Sequence, residues 1–388
     1  MSTTEIISQA RALLETSQPD QALELLTKHL NSHVDSTQFL SVYGETLLET
    51  NQLEQAYQVL SKACEMDPEA NEGVEKFLYL GQIIGGADGL NYVNIALNKL
   101  SAYLEDLNNG NVDQGLLTMY GGSGNDVSKL RHWIIEKLNS GIFGEIEVWM
   151  TDLCMEPEAE SKCEELIQHS LKLDDANPEA YSLLASIRIS QQRNPDAVVA
   201  LEKSWELFQA KKTKLEQAAN DAAEANDNNA FEIGMEYVEL IQPLLTLSRF
   251  ATELELYDRA AVIASSVQDI NDSILDSYYI EALAGLFKAK QLLFNGSEEE
   301  DYRDIDINTL KQSDNPEITA ILNEAKSTLT QGYKIINSDA VEDCDLGLVE
   351  QVNELLKELG GPVMSELMPR RGDDEEEGWE DEIQSDEE

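Results

Sequence analysis

Positive charge is scarce in this chain. Its 388 residues hold 27 Lys and Arg against 75 Asp and Glu, a formal net charge of -48. Attraction to nucleic-acid phosphates and to anionic membrane surfaces rests on Lys and Arg, so direct binding to either is disfavoured. A strongly basic partner is attracted instead, and fastest at low salt. Cysteine is equally sparse. Cys64, Cys154, Cys163 and Cys344 form no CxxC pair. Single buried thiols are expected, although Cys154 and Cys163 could approach each other across a helical hairpin. The four histidines, His29, His33, His132 and His169, are dispersed. His29 and His33 share a helical i,i+4 spacing, but a His pair without further ligands is a poor metal site, so no metal or other cofactor is expected. No run approaches about 18 apolar residues, the length a membrane-spanning helix needs. The start, MSTTEIISQARALLETS, lacks the basic and then apolar regions of a secretory signal. A reducing compartment, cytoplasm or nucleus, is the expectation.

Strand-like alternation of β-branched residues is nearly absent too, which turns attention to helical periodicity. The stretch Thr37 to Pro68 reads TQFLSVYGETLLETNQLEQAYQVLSKACEMDP. Leu40, Gly44, Ala56, Ala63 and Pro68 stand at the offsets of the tetratricopeptide (TPR) pattern. Small residues at Gly44 and Ala56 let two antiparallel helices approach closely, large ones fill the gaps, and Pro68 ends the unit. Ala22 lies one 34-residue period before Ala56, and Cys163 and Ala197 are separated by the same period. The fold class is therefore all-α, a TPR-like solenoid of helix-turn-helix repeats.

Along the chain, residues 1–105 read as N-terminal repeats, with a turn at Gly85–Gly89. Residues 106–128, rich in Gly and Asn, read as an insertion or joint. Further repeats occupy 129–362, fitting the spacing poorly between 204 and 242, with an acidic and mobile loop near 296–308. The remainder, 363–388, reads as a disordered acidic tail. Eleven of its last sixteen residues are acidic and none is basic. Asp373, Asp374, Glu375, Glu376 and Glu377 form the densest run, and Trp379 offers that polyanion an anchor. Ser385, in SDEE, has the surroundings an acidophilic kinase prefers.

No catalytic constellation emerges. YGGSGNDVSKL (Tyr120–Leu130) lacks the GK[ST] of a phosphate-binding loop, and acidic pairs are too numerous to single one out. The chain is expected not to be an enzyme. A binding groove is the better candidate, because the first helix of each TPR hairpin lines the concave face. Its groove positions hold Glu45 and Glu49 in one repeat, Glu75 and Leu78 in the next, Glu145, Trp149 and Asp152 around the fourth, and Glu179 beyond. TPR proteins that clamp acidic peptide ends need Lys and Asn there; acidic positions suit a basic peptide.

The repeats, the insertion after the third of them, the acidic body and the ending GWEDEIQSDEE resemble the fungal dedicated assembly chaperones of large-subunit ribosomal protein L-four. The resemblance spans nearly the whole chain. It implies a dedicated chaperone without catalysis; a monomer is expected. Such a chaperone captures the long basic internal loop of its client, keeps it soluble and off RNA, and escorts it through cytoplasm and nucleus to pre-60S particles. No basic import signal is evident, so entry to the nucleus would follow the client's own signals. A scaffold subunit of a larger stable assembly is the alternative reading of the same groove.

Overall fold

Apolar residues recur along the N-terminal repeats with the 34-residue period, and the helices follow from them. Ile6 and Leu40, Ala10 and Gly44, Ala22 and Ala56, and Leu26 and Leu60 are such pairs, and all are buried. Each fully buried Leu or Ile contributes about 1.5–3 kcal/mol of burial free energy. Polar residues set the helix ends. Ser2 accepts the Glu5 amide while Glu5 accepts the Ser2 amide at 2.7 Å, a reciprocal capping box. Ser36, Asp113, Asp126 and Asp345 accept first-turn amides in the same manner.

The computed structural model describes residues 2–121, 125–225, 230–294 and 301–367, and these form two compact units that divide after Ile187. The N-terminal unit holds α1 (Thr3–Glu15), α2 (Pro19–His29), α3 (Thr37–Glu49), α4 (Leu53–Met66), α5 (Glu75–Ile84), α6 (Gly86–Asn108), α7 (Gln114–Tyr120), α8 (Val127–Met150) and α9 (Ala159–Leu173). The division falls inside α10 (Pro178–Ser190). Among the described residues no strand occurs, so the all-α expectation holds. Hairpins pair α1 with α2, α3 with α4, α5 with α6 and α8 with α9, while the first helices adjoin one another, α1 on α3 and α3 on α5.

Close approach within hairpins depends on missing side chains. A Cβ on Gly44 would stand 2.5 Å from Leu60 of α4. The neighbour is Leu60, one helical turn past the expected Ala56. In the next hairpin Gly81 faces Val93, and Gly89 sits against the Gly81 carbonyl. Gly86–Gly89 is therefore the first turn of α6 and not the expected loop, because only glycine admits so tight a crossing. The insertion does not divide the unit either, since α6 packs directly on α8.

One turn recurs in both units. Gln18 N–H donates to the Leu13 carbonyl and Ser17 N–H to that of Leu14. Gln52 and Asn51 repeat this with Leu47 and Leu48, as do Arg193 and Gln192 with Arg188 and Ile189, and Leu256 and Glu255 with Ala251 and Thr252. These are Schellman motifs. Ser17, Asn51, Gln192 and Glu255 all take positive φ, between 55° and 61°. Asn51 is a residue type that favours this conformation; at Ser17, Gln192 and Glu255 the packing imposes it.

The C-terminal unit holds α11 (Asn194–Ala225), α12 (Ala230–Val238), α13 (Ile241–Glu253), α14 (Tyr257–Gln268), α15 (Leu275–Leu293), α16 (Ile307–Lys311), α17 (Pro316–Ile336), α18 (Leu346–Glu358) and α19 (Met364–Leu367). Its core runs between α15, α17 and α18, through Leu275, Leu286, Leu322, Leu329, Val352 and Leu356. Two expectations change. The acidic loop is docked over its described part: Tyr302 bonds the Tyr257 hydroxyl, Lys290 reaches the Arg303 carbonyl at 2.8 Å, and Ile307 and Leu310 are buried. The tail does not begin at 363, because α19 packs on α17, where Glu366 accepts from Ser327 and Gln331. Asp373, Asp374, Glu375, Glu376, Glu377, Trp379 and Ser385 lie outside the described residues.

Candidate functional site: the first-helix face of the N-terminal unit

Stacked repeats bring equivalent positions together, and one row shows the consequence. Arg11, Glu45 and Tyr79 occupy the same position in three successive first helices, one period apart. The Tyr79 hydroxyl donates to Glu45 Oε1 at 2.9 Å. A second row runs Ile7, Ser41, Glu75, and its carboxylate also receives a phenol: Tyr120 of α7 donates to Glu75 Oε1 at 2.7 Å. The Tyr120 ring lies flat on Trp133 of α8, centroids 3.6 Å apart and planes inclined by 13°. Beneath is a cavity of about 190 Å³ lined by Ile7, Arg11, Ser41, Glu75, Tyr120 and Trp133.

Electrostatics follow from this half-burial. Burial pushes the Glu45 carboxyl above its ordinary value, against the opposing pull of Tyr79 and Arg11. Burial and the neighbouring carboxylates push both phenols, Tyr79 and Tyr120, well up, so they stay protonated and act as donors. Burial works against the Arg11 charge, but Tyr120, Glu75 and Glu45 outweigh it and keep the guanidinium charged. A face with two carboxylates, an aromatic slab and a cavity suits a cationic side chain.

The expected groove residues divide. Glu45, Glu49 and Glu75 share this face; Glu49 is exposed beside Tyr79. Leu78 is buried, turned toward Gly141 of α8, and serves packing. Glu145 is only 7% exposed and lines a separate cavity with Leu97, Leu138, Ile142 and Lys162. Burial pushes its carboxyl up. The adjacent Trp149 indole N–H helps hold the charge but is buried without a hydrogen bond of regular geometry. Asp152 accepts the Gly86 amide at 2.8 Å and thereby caps α6. Glu179 is exposed in the first turn of α10. The helical wheel misdirects these four residues from Leu78 to Asp152 because α8 runs 24 residues and packs on both α5 and α6. Arg11 and Tyr79 were legible through the 34-residue offset from Glu45. Tyr120 and Trp133 had no such signal, since α7 belongs to no repeat.

Among the described residues no helix is long and apolar enough to cross a membrane, and no three His, Cys, Asp or Glu gather as a metal site. Cys64 and Cys163 are buried, and burial pushes the Cys64 thiol up to about 12. Cys154 is exposed, contrary to the buried-thiol expectation, because it lies in the turn between α8 and α9.

Residues 273–382 match the family model described as ACL4 C-terminal domain. A Schizosaccharomyces pombe protein named probable assembly chaperone of rpl4 is 26% identical over 314 residues, covering 80% of this chain and 75% of that protein. An Emericella nidulans protein of the same name is 27% identical over 219 residues, 53% of this chain and 49% of its own length. The solved structure of Assembly Chaperone of RpL4 (Acl4) superposes with a TM-score of 0.57 at 20% identity, across 76% of this chain and 99% of that one, which establishes the shared TPR-like fold. The chain thus shares a fold with the solved Acl4 structure, carries a C-terminal region that matches the ACL4 model, and is similar along most of its length to a fungal protein named probable assembly chaperone of rpl4.

Proposed function

We propose that the chain is a dedicated, non-catalytic chaperone of the ribosomal protein its relatives are named for, rpl4, and that it receives a basic segment of that client on the first-helix face of the N-terminal unit. The observation that carries this reading is the likeness, over most of the chain, to proteins named as assembly chaperones of rpl4. The charge supports it. A chain with a net charge of -48 raises the association rate of a basic client and competes with RNA for its lysines and arginines. Its expected places of action are the cytoplasm and the nucleus, where it hands the client to large-subunit assembly. Binding there is reversible, and the chain acts as a monomer.

Calorimetry of the purified full chain with rpl4, across a salt series, tests the proposal. A one-to-one complex whose affinity falls as salt rises is the expected result. Absence of a complex at low salt overturns it. Aggregation of the chain whenever rpl4 is omitted would favour a permanent scaffold subunit instead.

A further inference from the structure

Between α6 and α8 in the chain lies α7, a helix of seven residues. So short a helix does not persist alone in water. Three contacts hold it. Asp113 caps it by accepting the Leu116 amide at 2.9 Å, Leu117 is buried in the unit's core, and Tyr120 reaches across to Glu75 with its ring on Trp133. The last of these is peculiar in its chemistry. Tyr120 presents a planar group that lies flat on an indole and points a polar hydrogen at a carboxylate. A guanidinium does both better. It stacks on an aromatic face with its positive charge adding to the attraction, and it offers a carboxylate paired, charge-assisted hydrogen bonds where a phenol offers one neutral donor. Lysine does neither in the same geometry, having a compact head and no plane.

The surroundings agree. Glu45 stands close to Glu75, and the cavity of about 190 Å³ beside Tyr120 opens between α7 and the first helices. Room therefore exists for a side chain beyond those already there. Arg11, itself a guanidinium, lines the same cavity, and the Glu75 and Glu45 carboxylates favour its charge against the cost of burial.

We infer that Glu75 and Trp133 form an arginine subsite, filled in the free chain by Tyr120 of α7, and that an arginine of an incoming basic segment displaces Tyr120 and takes its place. The inference rests on the proposed reading of the face as the client's seat, and it adds which side chain is read there and what must leave first. α7 is then a removable occupant: its tether stays, while its seven residues lose their hold on Glu75.

The test measures the affinity of the full chain for rpl4 with Tyr120→Ala, Tyr120→Phe, Glu75→Gln and Trp133→Ala, each checked for helicity by circular dichroism. A net hydrogen bond is worth roughly a factor of 2 to 10 in an equilibrium. Tyr120→Ala is expected to tighten binding within that range, and Tyr120→Phe to tighten it less. Glu75→Gln and Trp133→Ala are expected to weaken it, each by about tenfold or more. In a chain with Trp149, Trp205 and Trp379 replaced by Phe, the emission of Trp133 shifts on addition of rpl4. Weakening by Tyr120→Ala would make Tyr120 a client contact and overturn the inference. A folded Trp133→Ala chain with unchanged affinity, or a Trp133 emission that ignores bound rpl4, would overturn it while leaving the chaperone reading intact. Failure of the unaltered chain to bind rpl4 would remove the chaperone reading itself. Should Tyr120→Ala lose its helicity, the Tyr120→Phe affinity and the emission shift decide alone.

Discussion

The two units treat their carboxylates differently. In the C-terminal unit several are answered by Lys and Arg from neighbouring helices. Arg249 of α13 pairs with Asp276 of α15 at 2.6 Å, Lys288 of α15 with Asp258 of α14 at 2.7 Å, and Arg259 of α14 with Glu202 of α11 at 2.9 Å. On the first-helix face of the N-terminal unit, Glu45 and Glu75 are answered by phenols, with Arg11 nearby. A carboxylate already in an ion pair offers little to a visiting cation. One held by a neutral donor keeps its charge and most of its attraction. The C-terminal unit, which contains the matched residues 273–382, ties several of its helices together with such pairs, whereas the N-terminal face holds two carboxylates through phenol donors.

One ion pair of the N-terminal unit is buried, and disturbing it should have the largest effect. Lys76 is fully buried and donates to Asp67 at 2.8 Å and to the Gly73 carbonyl at 2.6 Å, while Asp67 also accepts the Asn71 and Glu72 amides. It fixes the loop that leads into α5. Lys76→Met strands the Asp67 charge and is expected to cost about 3–5 kcal/mol by urea unfolding, more than any single exposed pair in the C-terminal unit. Burial acts to raise the Asp67 carboxyl, but the Lys76 bond and the two amides overcome it, so the carboxyl lies below its ordinary value. The sign follows. This stabilisation is complete above the unfolded carboxyl's value, about 3.9, and is lost as pH falls below it through the folded one. Acid unfolding of the parent should therefore release a contribution that the Lys76→Met chain lacks; identical acid transitions would contradict it.

Glycines give the next contrast. Gly44→Leu drives a side chain into Leu60, already 2.5 Å from a lone Cβ, and is expected to cost about 1–3 kcal/mol. Gly234, inside α12 of the C-terminal unit, has nothing within 4 Å of its Cβ position, so Gly234→Ala should stabilise by about 0.5–1 kcal/mol. Melting curves that move the two variants in the same direction would refute the packing of one of them.

Smaller still are the exposed pairs. Lys288→Ala should cost no more than about 1 kcal/mol, and the loss should shrink with added salt. On the phenol-held face the sign reverses. Burial raises the Glu45 carboxyl, so its charge opposes folding, and the opposition fades as pH falls through the folded value. Glu45→Gln keeps an acceptor for Tyr79 and should leave thermal stability at neutral pH unchanged or raised by less than about 1 kcal/mol. A clear loss of stability would mean that Glu45 is held as an ion pair after all, and the contrast between the units would blur.

Much was legible in the residues themselves. The 34-residue period from Ala22 to Ala56 specified the stacked hairpins, since one repeat cannot bury its apolar side alone. The excess of Asp and Glu specified a partner of opposite charge. Helix ends such as Asp126 and Asp345 were written in capping residues. The rest depended on which helices came to lie beside each other. Local spacing could not tell that Gly89 would meet the Gly81 backbone and so begin a helix where five residues rich in glycine suggest a loop. Nor could it tell that α8, wedged against both α5 and α6, would turn Glu145 inward and leave Asp152 to cap α6. Tyr120 shows the limit most directly. Nothing in NNGNVDQGLLTMYGG assigns it a partner, because its contacts with Glu75 and Trp133 exist only once three separate helices have packed. The sequence alone determined the repeat, its core and its charge; the tertiary structure alone decided which carboxylates are buried, which serve as caps and which are held by phenols.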